Sequence, residues 1–424
     1  MIRKSLIRAA VPLVALSLVA AACGSSNAKS ASKPKASNTA TKATTSATPA
    51  SETGAVTLRA GLTGLLTEHV ALASMATDAA LRGDMDGFNQ YATALNGPTD
   101  SNTSDLVAAI TSAYGPEVGT AFDGLWRSEK HIPQFVAYTQ AAAKGDEAGK
   151  QAAVSELTAY ATTFGETLHS VNTNLPAAAV TEDLTMHATT LLKVIDAQKA
   201  GDQTAVYAAL HEAYAHMEGT AKVLAVATAA KFPEKFDGDP ASPAGDLRAG
   251  LTGLLSEYVW LAASATGAAL GGRTAQFDAA AAALNGPTGS NTSALVDAIG
   301  SIYGPSVKTA FDGLWRSENH IPQFVAYTQA VGKGDTAGAQ AAIDKLTAYA
   351  KTFGETLNSV NTNLPADAVT QDIVMHATTL KAVIDAQKAG DPKTADLLRA
   401  AVAHMAGTAN VLATATVKKF PAKF

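Results

Sequence analysis

The chain has one cysteine, Cys23, in 424 residues, which rules out a disulfide within it. Its body carries no cluster of lysine and arginine. Losing Arg3, Lys4 and Arg8 with an N-terminal leader moves the formal charge from −5 to −8. A mildly acidic chain without a basic stripe excludes nucleic acid as a partner. No stretch alternates apolar and polar residues as a half-buried strand does, and β-branched runs are short. Catalytic signatures are missing too: there is no Gly-x-Ser-x-Gly elbow, no Gly-x-x-x-x-Gly-Lys-Ser/Thr loop, no His-Glu-x-x-His and no cysteine nucleophile. An enzyme is therefore not the expectation.

What the sequence does contain, it contains twice. Residues 121–141 read AFDGLWRSEKHIPQFVAYTQA and residues 310–330 repeat them with one change, Lys130 to Asn319. The offset of 189 also aligns LRAGLTGLL at 58–66 with 247–255, and MHATTL at 186–191 with 375–380. A one-residue deletion near Asp391 then shifts the register, so that AHM at 215–217 matches 403–405. A period this long is a duplicated domain rather than a short solenoid repeat. The expected copies span 57–236 and 246–424, joined by the Asp-, Pro- and Gly-rich linker DGDPASPAG at 237–245.

The N-terminus reads as a secretory signal peptide over 1–22. Arg3, Lys4 and Arg8 precede the apolar run Ala9 to Val19, and Ala20-Ala21-Ala22 leads into Cys23. That run is too short to span a bilayer as a mature helix. Cys23 stands where a bacterial lipoprotein carries its lipidated cysteine, although Ala20 replaces the usual aliphatic residue of that motif. The expectation is a lipid anchor at Cys23, which places the chain outside the cytoplasm on the cell membrane. Residues 23–56, rich in Ser, Thr, Ala and Lys, then form a flexible tether, because they hold too little apolar surface to offset their ordering entropy.

Within each copy the pattern is helical. Leu58, Leu62, Leu65, Leu66, His69 and Leu72 recur at three- and four-residue spacing, the mark of a buried helix face. Similar stripes run through 122–136, 184–195 and 206–224. The predicted fold is all-α: two tandem bundles of six or seven helices, each around a four-helix core. Phe122, Trp126, Phe135, Phe164 and Tyr214 are the expected large anchors of the first core. Pro133, inside a long helical pattern, is expected to kink a helix and free the carbonyl of Glu129. The closing FPEKF at 232–236 and FPAKF at 420–424 read as terminal clasps.

Candidate chemistry lies in the histidines. His69, His131, His187 and His216 each fall on a different predicted long helix, on or beside an apolar stripe. The second copy keeps His320, His376 and His404 but has Tyr258 in place of His69. Inward imidazoles from several helices suit a metal or haem site in a bundle core. Met186-His187, His216-Met217, Met375-His376 and His404-Met405 favour copper, since thioether is a soft ligand, although neighbours on a helix point about 100° apart. Asp183 and Asp372, four residues before His187 and His376, are placed to accept their imidazole N–H. His169 becomes Asn358 and His211 becomes Arg399, which reads as free variation at the surface. No Glu-x-x-His pair stands at His69, His131, His187 or His216, so a di-iron site is not expected.

The blocks LWRSE-x-HIPQFVAYT, MHATTL, AHM and KFP-x-KF resemble a helical repeat domain of secreted proteins from Gram-positive bacteria, some of them labelled copper amine oxidase. The resemblance covers both copies but not the tether, and it implies location and helical repeats more than activity. Quinone-dependent amine oxidation needs an Asn-Tyr-Asp/Glu motif in a β-rich domain, and neither is present. Two readings stand: a membrane-anchored surface protein holding copper or haem through its histidines, or a non-catalytic interaction module with hydrogen-bonded core histidines and an unidentified protein partner.

Overall fold

The computed structural model describes residues 48–424; the expected signal peptide, Cys23 and most of the expected tether lie outside the described residues. Sixteen α-helices and no strand occur among the described residues. The first copy contributes α1 (Gly54–Leu81), α2 (Met85–Asn96), α3 (Asn102–Tyr114), α4 (Pro116–Trp126), α5 (Ile132–Lys144), α6 (Glu147–Val171), α7 (Ala177–Ala200) and α8 (Gln203–Lys231). The second contributes α9 (Pro243–Leu270), α10 (Thr274–Asn285), α11 (Asn291–Tyr303), α12 (Pro305–Trp315), α13 (Ile321–Lys333), α14 (Thr336–Val360), α15 (Ala366–Ala389) and α16 (Thr394–Lys419). Each copy therefore has eight helices rather than six or seven. The extra helices are short ones, and the break at His131-Ile132-Pro133 divides what read as one longer stripe over 122–136 into α4 and α5.

Local chemistry fixes the ends. The side chains of Asp84, Asp146 and Asp202 accept hydrogen bonds from the backbone N–H of Gly87, Gly149 and Ala205, capping α2, α6 and α8. Pro133 lies in the first turn of α5, where its missing N–H costs nothing. It thus starts a helix instead of kinking one. The carbonyl of Glu129 is not left free either, because Gln134 Nε2 donates to it at 2.7 Å. The terminal clasps form: Phe232 packs edge-on against Tyr114 at 5.2 Å, and Phe420 against Tyr303 at 5.1 Å.

Long helices α1, α6, α7 and α8 build the first bundle, and α9, α14, α15 and α16 the second. Phe122, Trp126, Phe135, Phe164 and Tyr214 are all buried in the first. Helices α1 and α9 are the central pair. Eighteen of the 28 residues of each are buried, far more than one stripe, because each serves its own bundle on one side and packs on the other copy's helix on the other. Gly64 brings the backbones close, with room for little more than a methyl group before Thr252.

Contacts between the copies are reciprocal, as across a two-fold axis: α2 meets α16, and α10 meets α8. Arg59 donates to Asp246 at 2.6 Å, while its counterpart Arg248 donates to Thr57 at 2.8 Å. Arg399 reaches back from α16 to the buried Glu68 at 2.7 Å, and His211 from α8 to the buried Glu257 at 2.8 Å. His211 and Arg399 are thus not freely varying surface positions; each supplies the partner of an interior carboxylate in the other copy. The 237–245 segment between the copies is itself held by hydrogen bonds. Asp237 accepts from Gly54 N and Ala55 N, and Pro240 O accepts from Arg59. The described residues form one compact unit, and its folded part begins before residue 57: Ser51, Ala55 and Val56 are buried, with Ser51 Oγ 3.1 Å from Thr414 Oγ1.

Candidate metal centre

His69 projects from the middle of α1 and His187 from the middle of α7, both facing the bundle axis. His131 arrives differently. Helix α4 stops at Trp126, and Arg127, held by Asp123 at 2.7 Å and by the carbonyl of Asn96, turns the chain. His131 then caps α5 with backbone angles of −114° and −103°, so it lies on no long helix. The ring folds back until Nδ1 donates to Trp126 O at 2.9 Å. That bond fixes the tautomer and leaves the Nε2 lone pair for the interior.

Those three rings meet. Centroids lie 5.7 Å apart for His69–His131, 5.5 Å for His69–His187 and 6.4 Å for His131–His187. One nitrogen from each falls within 4.8 Å of the others, the one such group among the described residues. All three are at most 4% exposed. Around them stand the Trp126 indole, edge-on to His131 at 4.6 Å, and the Tyr160 ring, stacked on it at 4.7 Å. Burial, reinforced by the neighbouring imidazoles, holds His69 well below its usual range and His187 at about 3; burial alone takes His131 to about 4. All three are neutral at pH 7, the form that ligates a metal.

Four of their nitrogens have no hydrogen-bond partner within the protein: His69 Nδ1, His131 Nε2 and both nitrogens of His187. An unsatisfied buried polar atom costs roughly 1–3 kcal/mol. Tetrahedral metal ligands bonded at about 2.0–2.1 Å stand about 3.3 Å apart, so the cluster must tighten by up to about 1.5 Å to grip an ion. Three imidazoles with an open fourth position form an accepted donor set for zinc or copper. Haem does not fit. The rings pack on each other and on Trp126, Phe135 and Tyr160, and the adjoining cavity is about 160 Å³, whereas sites for much smaller ligands start near about 300 Å³.

The second copy settles the same place by other means. His320 Nδ1 donates to Trp315 O at 2.8 Å, as in the first copy. The Tyr258 hydroxyl then donates to His320 Nε2 at 3.3 Å and accepts from His376 Nε2 at 3.4 Å. Of the imidazole nitrogens there, His376 Nδ1 alone lacks a partner. Burial keeps His320 at about 4 and, with His320 beside it, His376 at about 3.

The remaining predicted ligands lie elsewhere. His216 Nε2 donates to Asp183 O at 3.0 Å and His404 Nε2 to Asp372 O at 3.1 Å, both at the partly exposed α7–α8 and α15–α16 seams. The Asp183 carboxylate accepts from Thr220, and Asp372 from Thr408, so neither serves its own helix's His187 or His376. Met186 and Met375 face solvent at 47% and 51% exposure, which removes them from any shared site with the adjacent histidines. His169 and Asn358, read as free to vary, each donate to an equivalent carbonyl, Leu175 O and Leu364 O. Sequence reasoning missed the bridging role of Tyr258, although its exchange with His69 was visible in the self-alignment.

No family model matches the chain, and no curated protein or solved structure shows significant similarity to it.

Proposed function

We propose that this chain is an extracytoplasmic lipoprotein, anchored to the cell membrane through Cys23, that binds one transition-metal ion, copper foremost, among His69, His131 and His187. The observation that carries this reading is the set of four orphan imidazole nitrogens converging in the first copy. A metal ion satisfies several of them at once, and copper heads the affinity order of divalent ions for nitrogen sites. The rings need not shed protons to bind it at neutral pH, since burial already keeps them neutral. The anchor rests on the leader and the lone cysteine of the sequence.

Elemental analysis and a visible spectrum of the full chain, purified without chelators, test the site. The expected result is about one copper per chain, lost in His187→Ala and retained in His376→Ala. Metal-free protein that also takes up neither copper nor zinc overturns the reading. For the anchor, Cys23→Ala is expected to release the chain or leave it unprocessed; membrane retention with unchanged lipid labelling argues the reverse.

One observation favours the second reading, a non-catalytic interaction module. The second copy keeps the same Trp–His and His partners in a network completed by Tyr258 alone. Under that reading the histidine variants alter stability and no metal is found.

A further inference from the structure

A cavity of about 160 Å³ runs beside the candidate site, between α1, α2 and α5. Its lining extends along α1 from His69, which is 1% exposed, to Leu81, and takes in Met85, which is 54% exposed at the start of α2. Twelve residues of helix separate His69 from Leu81, about 18 Å at 1.5 Å per residue. The walls are mostly apolar, with Ala73, Ala76, Phe88 and Phe135 among them, and Thr77, Thr139 and Gln140 as polar exceptions besides His69.

The second copy provides a control. All but three of the lining residues recur unchanged at the equivalent positions, Phe88 as Phe277 and Phe135 as Phe324 for example. The three differences are His69 to Tyr258, Met85 to Thr274 and Ala143 to Gly332. Two of these are the only residues on the path that offer a nitrogen or sulfur side-chain ligand for a soft metal. They stand at its two ends, and both are lost in the copy whose imidazoles are already bridged.

We infer that copper enters as Cu(I) along this cavity, captured first by the Met85 thioether and passed to His69 and its partners. The inference rests on the metal-site reading above and adds the oxidation state and the route. Thioether sulfur binds Cu(I) well and contributes little to Zn²⁺ or Cu²⁺. An apolar passage excludes strongly hydrated divalent ions, whose dehydration is costly, more than it excludes a weakly hydrated monovalent one. Met85 lies too far from the imidazoles to share a coordination sphere with all three, so its effect is on rate rather than on final affinity.

The test is stopped-flow transfer of Cu(I) from a coloured Cu(I) chelate to the full chain, without oxygen, with Zn²⁺ uptake run in parallel. Met85→Leu keeps the volume and removes the sulfur, and Met85→Thr installs the residue of the second copy. Both are expected to slow Cu(I) uptake about ten-fold, the lower end of what lost ligand support costs, with the same endpoint and an unchanged Zn²⁺ rate. Met85→Leu loading Cu(I) at the wild-type rate overturns the route, as does equal slowing of Zn²⁺. Wild-type chain that takes up Zn²⁺ but no Cu(I) refutes this inference and leaves the metal site standing. Chain that takes up neither ion refutes both.

Discussion

The two copies hold the same Trp, the same two histidines and the same stacked Tyr around one differing position. With Tyr258 there, a hydroxyl joins two imidazoles and leaves one nitrogen unpartnered; with His69 there, four are left. A phenol both donates and accepts, so it closes a chain of rings whose outer end is already tied to Trp315 O. A third neutral imidazole offers one lone pair to the same space that the other rings face. One copy has resolved most of its buried imidazole polarity internally, and the other leaves it open to a ligand.

Swapping that single residue is the sharpest way to break the comparison, and it has the largest expected effect. His69→Tyr should take metal content from about one per chain to none, and Tyr258→His should raise it to about two, by elemental analysis after reconstitution. If Tyr258→His folds and gains nothing, the third imidazole is not what distinguishes the copies.

Acid comes next, and acts on both copies of the metal-free chain, more on the first, where His69 too is held well below its usual range. The four histidines His131, His187, His320 and His376 sit at about 3 or 4 in the fold, against an ordinary value of 6.5. The unfolded chain therefore binds more protons between those limits, and stability falls as pH drops from about 6.5 toward about 4. The loss is seen as a falling urea midpoint. Loading the first copy with metal should move the acid limb to lower pH, because protons and metal compete for the same nitrogens.

Removing Arg399 leaves the carboxylate of Glu68 buried with Asn102 as its remaining side-chain donor. Arg399→Ala is expected to cost about 3 kcal/mol in chemical denaturation. Tyr258→Phe should cost about 1–3 kcal/mol, by stranding two ring nitrogens in the second copy. The smallest effect concerns His211, which Glu257 holds above its usual range. Its stabilisation is complete below about 6.5 and fades as pH rises through the raised value, opposite in sign to the core histidines. Burial pushes Glu218 up to about 7 on the same side of the interface, and it adds to that trend. His211→Arg should flatten the alkaline slope; an unchanged slope removes His211 from the interface account.

The all-helical fold was legible from spacing, since Leu58 to Leu72 and the other stripes follow a helical period with no strand pattern to compete. The number of helices was not, because Trp126 and Phe135 share an apolar continuity that hides the break at His131. The structure brings three of the four first-copy histidines together as inward rings. His216 was not separable from them, since it neighbours the buried Tyr214 and Met217 yet falls at a seam where it donates to the carbonyl of Asp183. The interface was invisible for a different reason. A His-to-Arg exchange looks like drift until Glu257 and Glu68 are known to face those positions from the opposite copy.

The folded-down segment at 237–245 has a consequence for how such a difference can arise at all. In a symmetric dimer of identical chains, every substitution appears at both sites, so a tyrosine that seals one pocket seals its twin. Joining the copies in one chain breaks that identity while preserving the geometry of the paired surfaces. Each half is then free to be changed alone: one can be made self-sufficient and serve as a fixed buttress, and the other can carry an unsatisfied, less stable interior that the buttress helps to hold in shape.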